Sequence, residues 1–414
     1  MSLELCSSMG LLGFFQQATD HDPAPAAEDR PRPRMPVLTP PLQLEASDSS
    51  PGGDDAKSAT SRIGGIGRYL DLFKGMGADL SRFQVPVHLN FPKSQLQLYG
   101  EMVYCFTQDI LSQCADAATP MDRFLHALRW HISATRQPHF GKAPYNPILG
   151  ETHHASVGDL NVLLEQVSHH PPVSALYATN EKKGFQLRFW HHASPRFYGS
   201  GVDITIQGRR LLKLARHGES YEMTSPKLGF RFLPVPGTDW SGSTTVSCAE
   251  TGLKATVVYK NKGFFGLHGS SRRIGGKVWD TNTGNTLYEI HGNWDQFVYL
   301  KESSSGTTST LYDARAVVGK LRPPQVKNLN AISPMESTLV WSGVSEGILT
   351  REVDKARAAK LCVEESQRAL RKERQALGIK WSPKFFTLSA ETGDWEWQHP
   401  EQPVPPAPLV VPLP

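Results

Sequence analysis

Between about residues 155 and 316 the chain reads as short runs rich in Val, Thr, Tyr and Phe, with no helical period between them. NVLLEQVS, VSALYAT, FQLRFWH, VDITI, TVSC, KATVVYK, GKVWD, TLYEIHG and QFVYL are nine such runs, separated by the turn-forming clusters NEKKG, QGRR, RHGES, PVPG, DTNTGN and ESSSGTT. No other feature limits the fold as much. Strands that follow one another without crossover helices pair antiparallel, and so large a sheet must curl into a barrel or sandwich to protect its edges.

Helical periods flank this block, which makes the predicted class α+β. In SRIGGIGRYLDLFKGMGADL, residues Ile63, Ile66, Tyr69, Leu70, Phe73, Met76 and Leu80 recur three or four apart and share one arc of a helix about 140° wide. Its five glycines make that helix weak alone, which suits a movable lid at about 61–80. A second helix is expected from Ser94, with Leu96, Tyr99, Val103, Phe106, Ile110 and Cys114 on one face. A third starts at Thr119 with Pro120 in its first turn. A highly charged helix over about 347–376 follows the strands, and by itself reads as a solvated face.

Residues 20–57 are dense in Pro, Asp, Ser and Ala and nearly devoid of aromatics, so they cannot bury enough surface to offset chain entropy. The expected organisation is a disordered arm over 1–57, a folded body over 58–398 and an extended proline-rich tail over 399–414. A net charge of +4, without a long run of one sign, gives no footprint for nucleic acid. Five scattered cysteines without a C-x-x-C pair argue against a disulfide framework and a cysteine zinc site. With no signal peptide and no apolar run of 18 residues, the expected address is the cytosol with peripheral membrane contact.

The catalytic motifs on offer are weak. GVSEG at 343–347 fits G-x-S-x-G, with Leu339 to Trp341 before it as a candidate strand, so Ser345 is a candidate nucleophile. That elbow belongs to parallel sheets with alternating helices, however, and a pattern with three fixed positions arises easily by chance. GSSRRIGGKV lacks the first glycine and the Ser or Thr of a phosphate loop. Histidine pairs occur at 153–154, 169–170 and 191–192, so a pair alone says little. His169 and His170 make a poor zinc site, since neighbours on a strand point to opposite faces. No metal and no cofactor are expected. Pro171 and Pro172 stiffen the chain after them, leaving a compact pair of N–H donors suited to a phosphate.

LEQVSHHPPVSALY at 164–177 resembles the signature of the oxysterol-binding-protein-related family of lipid transfer proteins, without a gap across EQVSHHPP. KAPYNPILGE at 142–151 is similar to the family's K-x-P-x-N-P-x-L-G-E segment, and KLCVEESQRALRKE from Lys360 to its C-terminal helix. The resemblance implies an incomplete antiparallel barrel around a hydrophobic tunnel, with an N-terminal helical lid and a C-terminal helical subdomain. It implies no enzyme but a carrier of phosphatidylinositol 4-phosphate, whose head group meets Lys142, Asn146, His169, His170, Lys360, Glu364 and Arg368. Positions 360, 364 and 368 advance only about 40° per step and form one ladder.

The family also implies a second lipid in the same tunnel, a sterol foremost and otherwise phosphatidylserine or another lipid, exchanged between membranes. A sensor with the same pocket and little net transfer is the alternative, and a hydrolase using Ser345 the remote one. Longer relatives add a pleckstrin-homology domain, ankyrin repeats or a two-phenylalanine motif for an endoplasmic-reticulum receptor. GFFQQATD at 13–20 lacks the acidic residues of that motif and is a weak candidate for such a partner.

Overall fold

The computed structural model describes residues 35–41, 85–106, 109–136, 141–232, 237–260, 272–318 and 322–413. The expected lid, with Ile63, Ile66, Tyr69, Leu70 and Phe73, lies outside the described residues, as does GFFQQATD.

Ser94 caps the first helix as expected, in a capping box: its hydroxyl accepts from Leu96 N while the Gln97 side chain accepts from Ser94 N at 2.9 Å. The anticipated face through Cys114 is divided between α1 (Gln95–Tyr104) and α2 (Ile110–Asp116). Asp109 is the reason, since its carboxylate accepts from Ser112 N at 2.9 Å and starts a new helix. Arg136 Nη2 closes the end of the first by donating to the carbonyls of Glu101 at 3.1 Å and Cys105 at 2.6 Å. α3 (Pro120–Ser133) begins after the Thr119 cap with Pro120 at its first position.

Strand β1 (Asn90–Ser94) pairs parallel with β2 (Ala143–Tyr145). The main sheet has 16 strands. It opens as a meander of β3 (Thr152–Val157), β4 (Leu160–His169), β5 (Pro172–Asn180) and β6 (Phe185–Phe197), each antiparallel to the last. β6 is the pivot, because its second half pairs with β7 (Gly201–Gln207) and its first half with β8 (Arg210–Leu214). Gly208 makes this step between neighbours on one edge: its φ is +129°, and a Cβ there would lie 1.8 Å from the Trp190 oxygen. β9 (Glu219–Met223) continues from β8 and β10 (Lys227–Arg231) from β7, and both rejoin on β11 (Gly237–Cys248). The antiparallel series then runs through β12 (Leu253–Tyr259), β13 (Arg273–Asp280), β14 (Thr286–Asn293), β15 (Phe297–Glu302) and β16 (Thr308–Asp313).

α4 (Ala314–Val318) follows, and the pairing path ends at β17 (Gln325–Val326) without closing on β16, so the barrel is incomplete. Helices α5 (Ser337–Val340), α6 (Ser342–Leu349) and α7 (Val353–Ala376) form the C-terminal helical part. The long helix expected from 347 thus begins at Val353. Inside the sheet, Leu164, Leu176, Leu187, Val246 and Val278 pack with Phe124, Leu128 and Trp130. On the outer face Leu163, Val167 and Tyr177 are covered by Phe386 and Trp397 of the hairpin β18 (Phe386–Leu388) and β19 (Trp395–Trp397), and by Val404. Burial on both faces explains why β4 reads as a continuous apolar run.

Two expectations are corrected. Part of the N-terminal arm is in place: Val37 N donates to Thr338 O at 3.2 Å, Lys93 Nζ donates to Thr39 O at 3.2 Å, and Leu38 packs on the main core. The tail is also structural, since β20 (Leu409–Val410) inserts parallel to β3 and antiparallel to β17, with Leu409 0 % exposed. Prolines lack an N–H and suit an edge. Among the remaining amides, Val404 N donates to Thr179 Oγ1 (2.9 Å), Ala407 N to Ser156 Oγ (2.8 Å) and Val411 N to Ser156 O (2.8 Å). Composition counts prolines but not these partners. Ending the chain at residue 403 is expected to cost about 2–5 kcal/mol through lost burial of Val404, Leu409 and Val411. Chemical denaturation measures it, and an unchanged midpoint would mean a loose tail.

Candidate functional site

A buried carboxylate organises the region where the three sequence motifs meet. Glu151, which ends KAPYNPILGE, is 0 % exposed and accepts from Ser94 Oγ, Ser337 Oγ (2.7 Å), Trp341 Nε1 (2.8 Å) and Ile148 N (3.0 Å). Burial pushes its pKa up, and the four donors oppose that shift. The loop before it is laid along β4: Gly150 N donates to Gln166 O at 3.0 Å and Gln166 N to Glu151 O at 2.8 Å. This brings the Pro147 carbonyl to His169, whose Nδ1 donates to it at 2.9 Å. Asn146, one residue earlier, is exposed beside it.

Within EQVSHHPP the residues divide their work. Glu165 accepts from Lys384 N at 2.7 Å and Phe385 N at 2.9 Å, and Gln166 accepts from Ser174 Oγ at 2.5 Å, so both are tied into the scaffold. His169 is half-buried and His170 exposed at the β4–β5 turn, their ring centroids 4.6 Å apart. Because a carbonyl only accepts, His169 carries its proton on Nδ1 and leaves Nε2 as an acceptor while the ring is neutral. Burial, then His170 and Arg371, lower its pKa, and the bond to Pro147 works against them.

On α7, Lys360 Nζ donates to the Val85 carbonyl and to Asn90 Oδ1 (2.8 Å). Asn90 Nδ2 in turn donates to the carbonyls of Ala143 (3.1 Å) and Pro144 (3.2 Å) on β2. Lys142 Nζ donates to the His88 carbonyl at 2.8 Å. Both lysines are thus held by segment 85–90. Glu364 feels Lys360 and Arg368, which lower its pKa against the larger upward push of burial. The structure therefore brings Lys142, Asn146, His169, His170, Lys360, Glu364 and Arg368 to one end of the barrel. Arg371, which sequence reading left on the solvated face, bears on His169. Eleven residues beyond Lys360 is three turns plus about 20°, so it falls within the same ladder, and that spacing was the available signal.

The neighbouring cavity measures about 1070 Å³ with its open mouth. Phe91, Pro144 and the exposed Lys142 bring its wall to the β1–β2 edge, while Leu98, Met102, Ile204, Ile206, Leu228 and Trp240 line it between α1 and the sheet. These apolar side chains are half-buried because they face the void rather than one another. Its lining, apolar with a few polar side chains, suits an amphipathic guest.

The other candidates resolve as scaffold. GVSEG lies inside α6, not at a strand-to-helix turn, and residues 337–340 before it are helical. Ser345 is 4 % exposed and shares a hydrogen bond with Tyr145 Oη at 3.1 Å. Gly347 is required by packing, since a Cβ there would meet Ala356 N of α7 at 2.7 Å. His153 spans Glu336 Oε1 (2.7 Å) and Tyr104 Oη (2.8 Å), and His154 reaches the Pro405 carbonyl at 2.9 Å. Cys105, Cys114 and Cys248 are buried free thiols. Among the described residues no cluster of His, Cys, Asp and Glu could hold a metal ion, and no helix is long and apolar enough to cross a membrane.

An incomplete barrel around an apolar cavity, with imidazoles and cations gathered at one end, defines a lipid-binding domain. The chain belongs to the oxysterol-binding protein family, whose profile matches residues 69–404. It is 43% identical over 390 residues to oxysterol-binding protein-related protein 4B of Arabidopsis thaliana, covering 93% of this chain and 100% of that protein. Human oxysterol-binding protein-related protein 5 is 32% identical over 334 residues, 78% of this chain but 37% of its own length. Among solved structures, the Osh1 ORD domain in complex with cholesterol superposes with a TM-score of 0.69 at 21% identity, covering 96% of this chain and 94% of that one. The Osh3 ORD in complex with PI(4)P from Saccharomyces cerevisiae gives 0.63 at 21%, covering 87% and 93%. Proteins of this family bind and transfer lipids and are not enzymes.

Removing the organising carboxylate leaves four donors unmet. Glu151→Ala is expected to destabilise the protein by about 3–5 kcal/mol, against about 1 kcal/mol for Ser345→Ala. Urea unfolding of the two variants compares them directly, and equal midpoints would remove Glu151 from its central position.

Proposed function

We propose that the protein carries phosphatidylinositol 4-phosphate in exchange for a second lipid between two membranes, docking peripherally on each from the cytosol. The observation that supports this most is the meeting of Lys142, Asn146, His169, His170, Lys360, Glu364 and Arg368 beside the mouth of one apolar cavity. A phosphate monoester suits Arg368 and Arg371 as two-point donors, the lysines as point charges and the imidazoles as directed donors. Glu364 accepts a hydroxyl of the inositol ring, and the acyl chains follow the apolar wall inward. A sterol is the first candidate for the second lipid, because the Osh1 domain binds cholesterol and, in a second structure, ergosterol. Burying a few hundred Å² of sterol surface is favourable by roughly 10 kcal/mol.

The two lysines suggest how the head group is coupled to closure. Their present acceptors are backbone carbonyls of Val85 and His88 in the segment that follows the expected lid. A phosphate that replaces those carbonyls frees that segment, so loading at the mouth is linked to lid position. Residues 61–80, with Ile63, Ile66, Tyr69, Leu70 and Phe73 on one face, are assigned the lid role. An endoplasmic-reticulum receptor remains an expectation resting on GFFQQATD.

His169→Ala with His170→Ala is expected to reduce extraction of phosphatidylinositol 4-phosphate from liposomes at least tenfold while uptake of the second lipid persists. Retained extraction by the folded double variant contradicts the head-group assignment.

A pH dependence follows from the His169 tautomer. For Nε2 to donate to a phosphate oxygen the ring must take up a proton, and the ligand's negative charge raises a pKa that lies below 6.5 in the free protein. The bound-state pKa therefore exceeds the free one, so affinity rises as pH falls through the bound value and levels off below the free value, with a limiting slope of about tenfold per pH unit. Binding isotherms between pH 8 and 6 are expected to lose that extra slope in His169→Gln, which donates without titrating. Identical slopes for wild type and variant would exclude proton uptake at His169.

A further inference from the structure

The cavity holds a buried guanidinium that no acid among the described residues neutralises. Arg210, at the start of β8, is 4 % exposed and lines the wall. Among the described residues its side-chain hydrogen bond runs from Nε to His191 Nε2 at 3.3 Å, and Phe189 lies beneath it with the ring centroid 5.9 Å from Cζ. Burial pushes its pKa down to about 10, and only the phenols of Tyr259 and Tyr99 act in the other direction.

Arg123 shows how this chain treats a buried arginine of purely structural purpose. It is paired at two points with Glu219, Nε to Oε2 at 2.8 Å and Nη2 to Oε1 at 2.6 Å, and Nη1 donates to the carbonyls of Ala117 and Ala118. Arg210 has nothing comparable among the described residues. A cation left without a counter-charge in an apolar wall is costly to fold around, and is explained more simply by a guest that brings the charge.

His191 supplies an independent observation. It is 2 % exposed, lines the same cavity, and is wedged between Phe189, stacked at 4.5 Å, and Tyr99, edge-on at 4.9 Å. Its Nε2 accepts from Arg210, so a neutral ring carries its proton on Nδ1, and that atom is buried with no partner. Burial and Arg210 hold the ring neutral. Arg136, in the same wall, likewise has Nε and Nη1 buried without partners. The side chains of all three line the cavity, the unpartnered nitrogens of His191 and Arg136 are buried in its wall, and among the described residues no carboxylate is bonded to any of them.

We propose that Arg210, with His191 Nδ1–H and Arg136 beside it, forms an anion subsite inside the tunnel that takes a lipid carrying an acid group, a carboxylate or a phosphate, head inward. This rests on the tunnel being the lipid site and concerns the polar end of the second lipid, where a sterol offers only a hydroxyl. The anion is a better match, since it accepts from the guanidinium and the imidazole at once and cancels the charge.

The test is uptake from vesicles containing tritiated oleic acid, methyl oleate, dioleoyl phosphatidic acid or cholesterol, by wild type, Arg210→Met and His191→Phe, with phosphatidylinositol 4-phosphate extraction as a parallel readout. Wild type is expected to prefer at least one acid probe over methyl oleate and cholesterol by tenfold or more, and the oleic and phosphatidic acid arms tell carboxylate from phosphate. Arg210→Met should erase that preference and His191→Phe, which keeps the stacking, should reduce it several-fold. No preference in the wild type, or the full preference in an Arg210→Met protein with a normal melting transition, overturns the subsite. Loss of phosphoinositide extraction in all three proteins would instead count against the carrier function and leave the acid preference to be read separately.

Discussion

The fold depends on a carboxylate that the sheet closes around. An incomplete barrel cannot hold its own mouth together, because the edge strands β16 and β17 never meet. Glu151 takes over that task by accepting from the cap of α1, the β2–β3 loop, α5 and α6 at once. Ser94 and residues 337–341, far apart in sequence, are thereby anchored to the loop that carries Glu151 itself. Glu336 repeats the device with His153 Nδ1 and His154 N, and Glu165 with the amides of Lys384 and Phe385. A buried carboxylate with every oxygen met by an N–H or O–H is stable where a half-met one is not.

Much of this was legible in the sequence where a periodic rule applies. Alternation located the long strands, and the Ser94 and Thr119 caps placed two helix starts, since both signals are local. What escaped depends on partners distant in the chain. RLLKL and KLGFR pair on either side of the Gly208 step, which no alternation rule foresees. The tail and residues 35–41 look disordered by composition, yet their few amides and apolar groups meet Ser156, Thr179 and Thr338. GVSEG looked like an elbow because a motif does not show that Gly347 answers to Ala356.

The site was legible in a different way. Lys360, Glu364 and Arg368 follow from helical spacing together with family resemblance, and Arg371 was within reach of the same arithmetic. The tautomer of His169 was not, because it depends on the Pro147 carbonyl being folded against β4 by the Glu151 loop. Nor could Arg210 be recognised, since nothing in GRRLLKL says that one arginine pairs with Asp394 outside while the next turns into the cavity. Alternation along the strand accounts for that once the face is known. In the function proposed above, mouth and tunnel divide the chemistry: cations at the rim meet a phosphate, apolar walls meet the chains, and the buried guanidinium meets whatever the second guest brings.

In the proposed function the phosphoinositide and the second lipid occupy the same cavity, so the two guests exclude each other. Native mass spectrometry of the protein after incubation with liposomes containing phosphatidylinositol 4-phosphate and a second, transferable lipid measures this directly. The account predicts a one-to-one phosphoinositide adduct that is replaced, molecule for molecule, as the second lipid is raised. A species carrying both lipids at once, or no phosphoinositide adduct at any ratio, would contradict it.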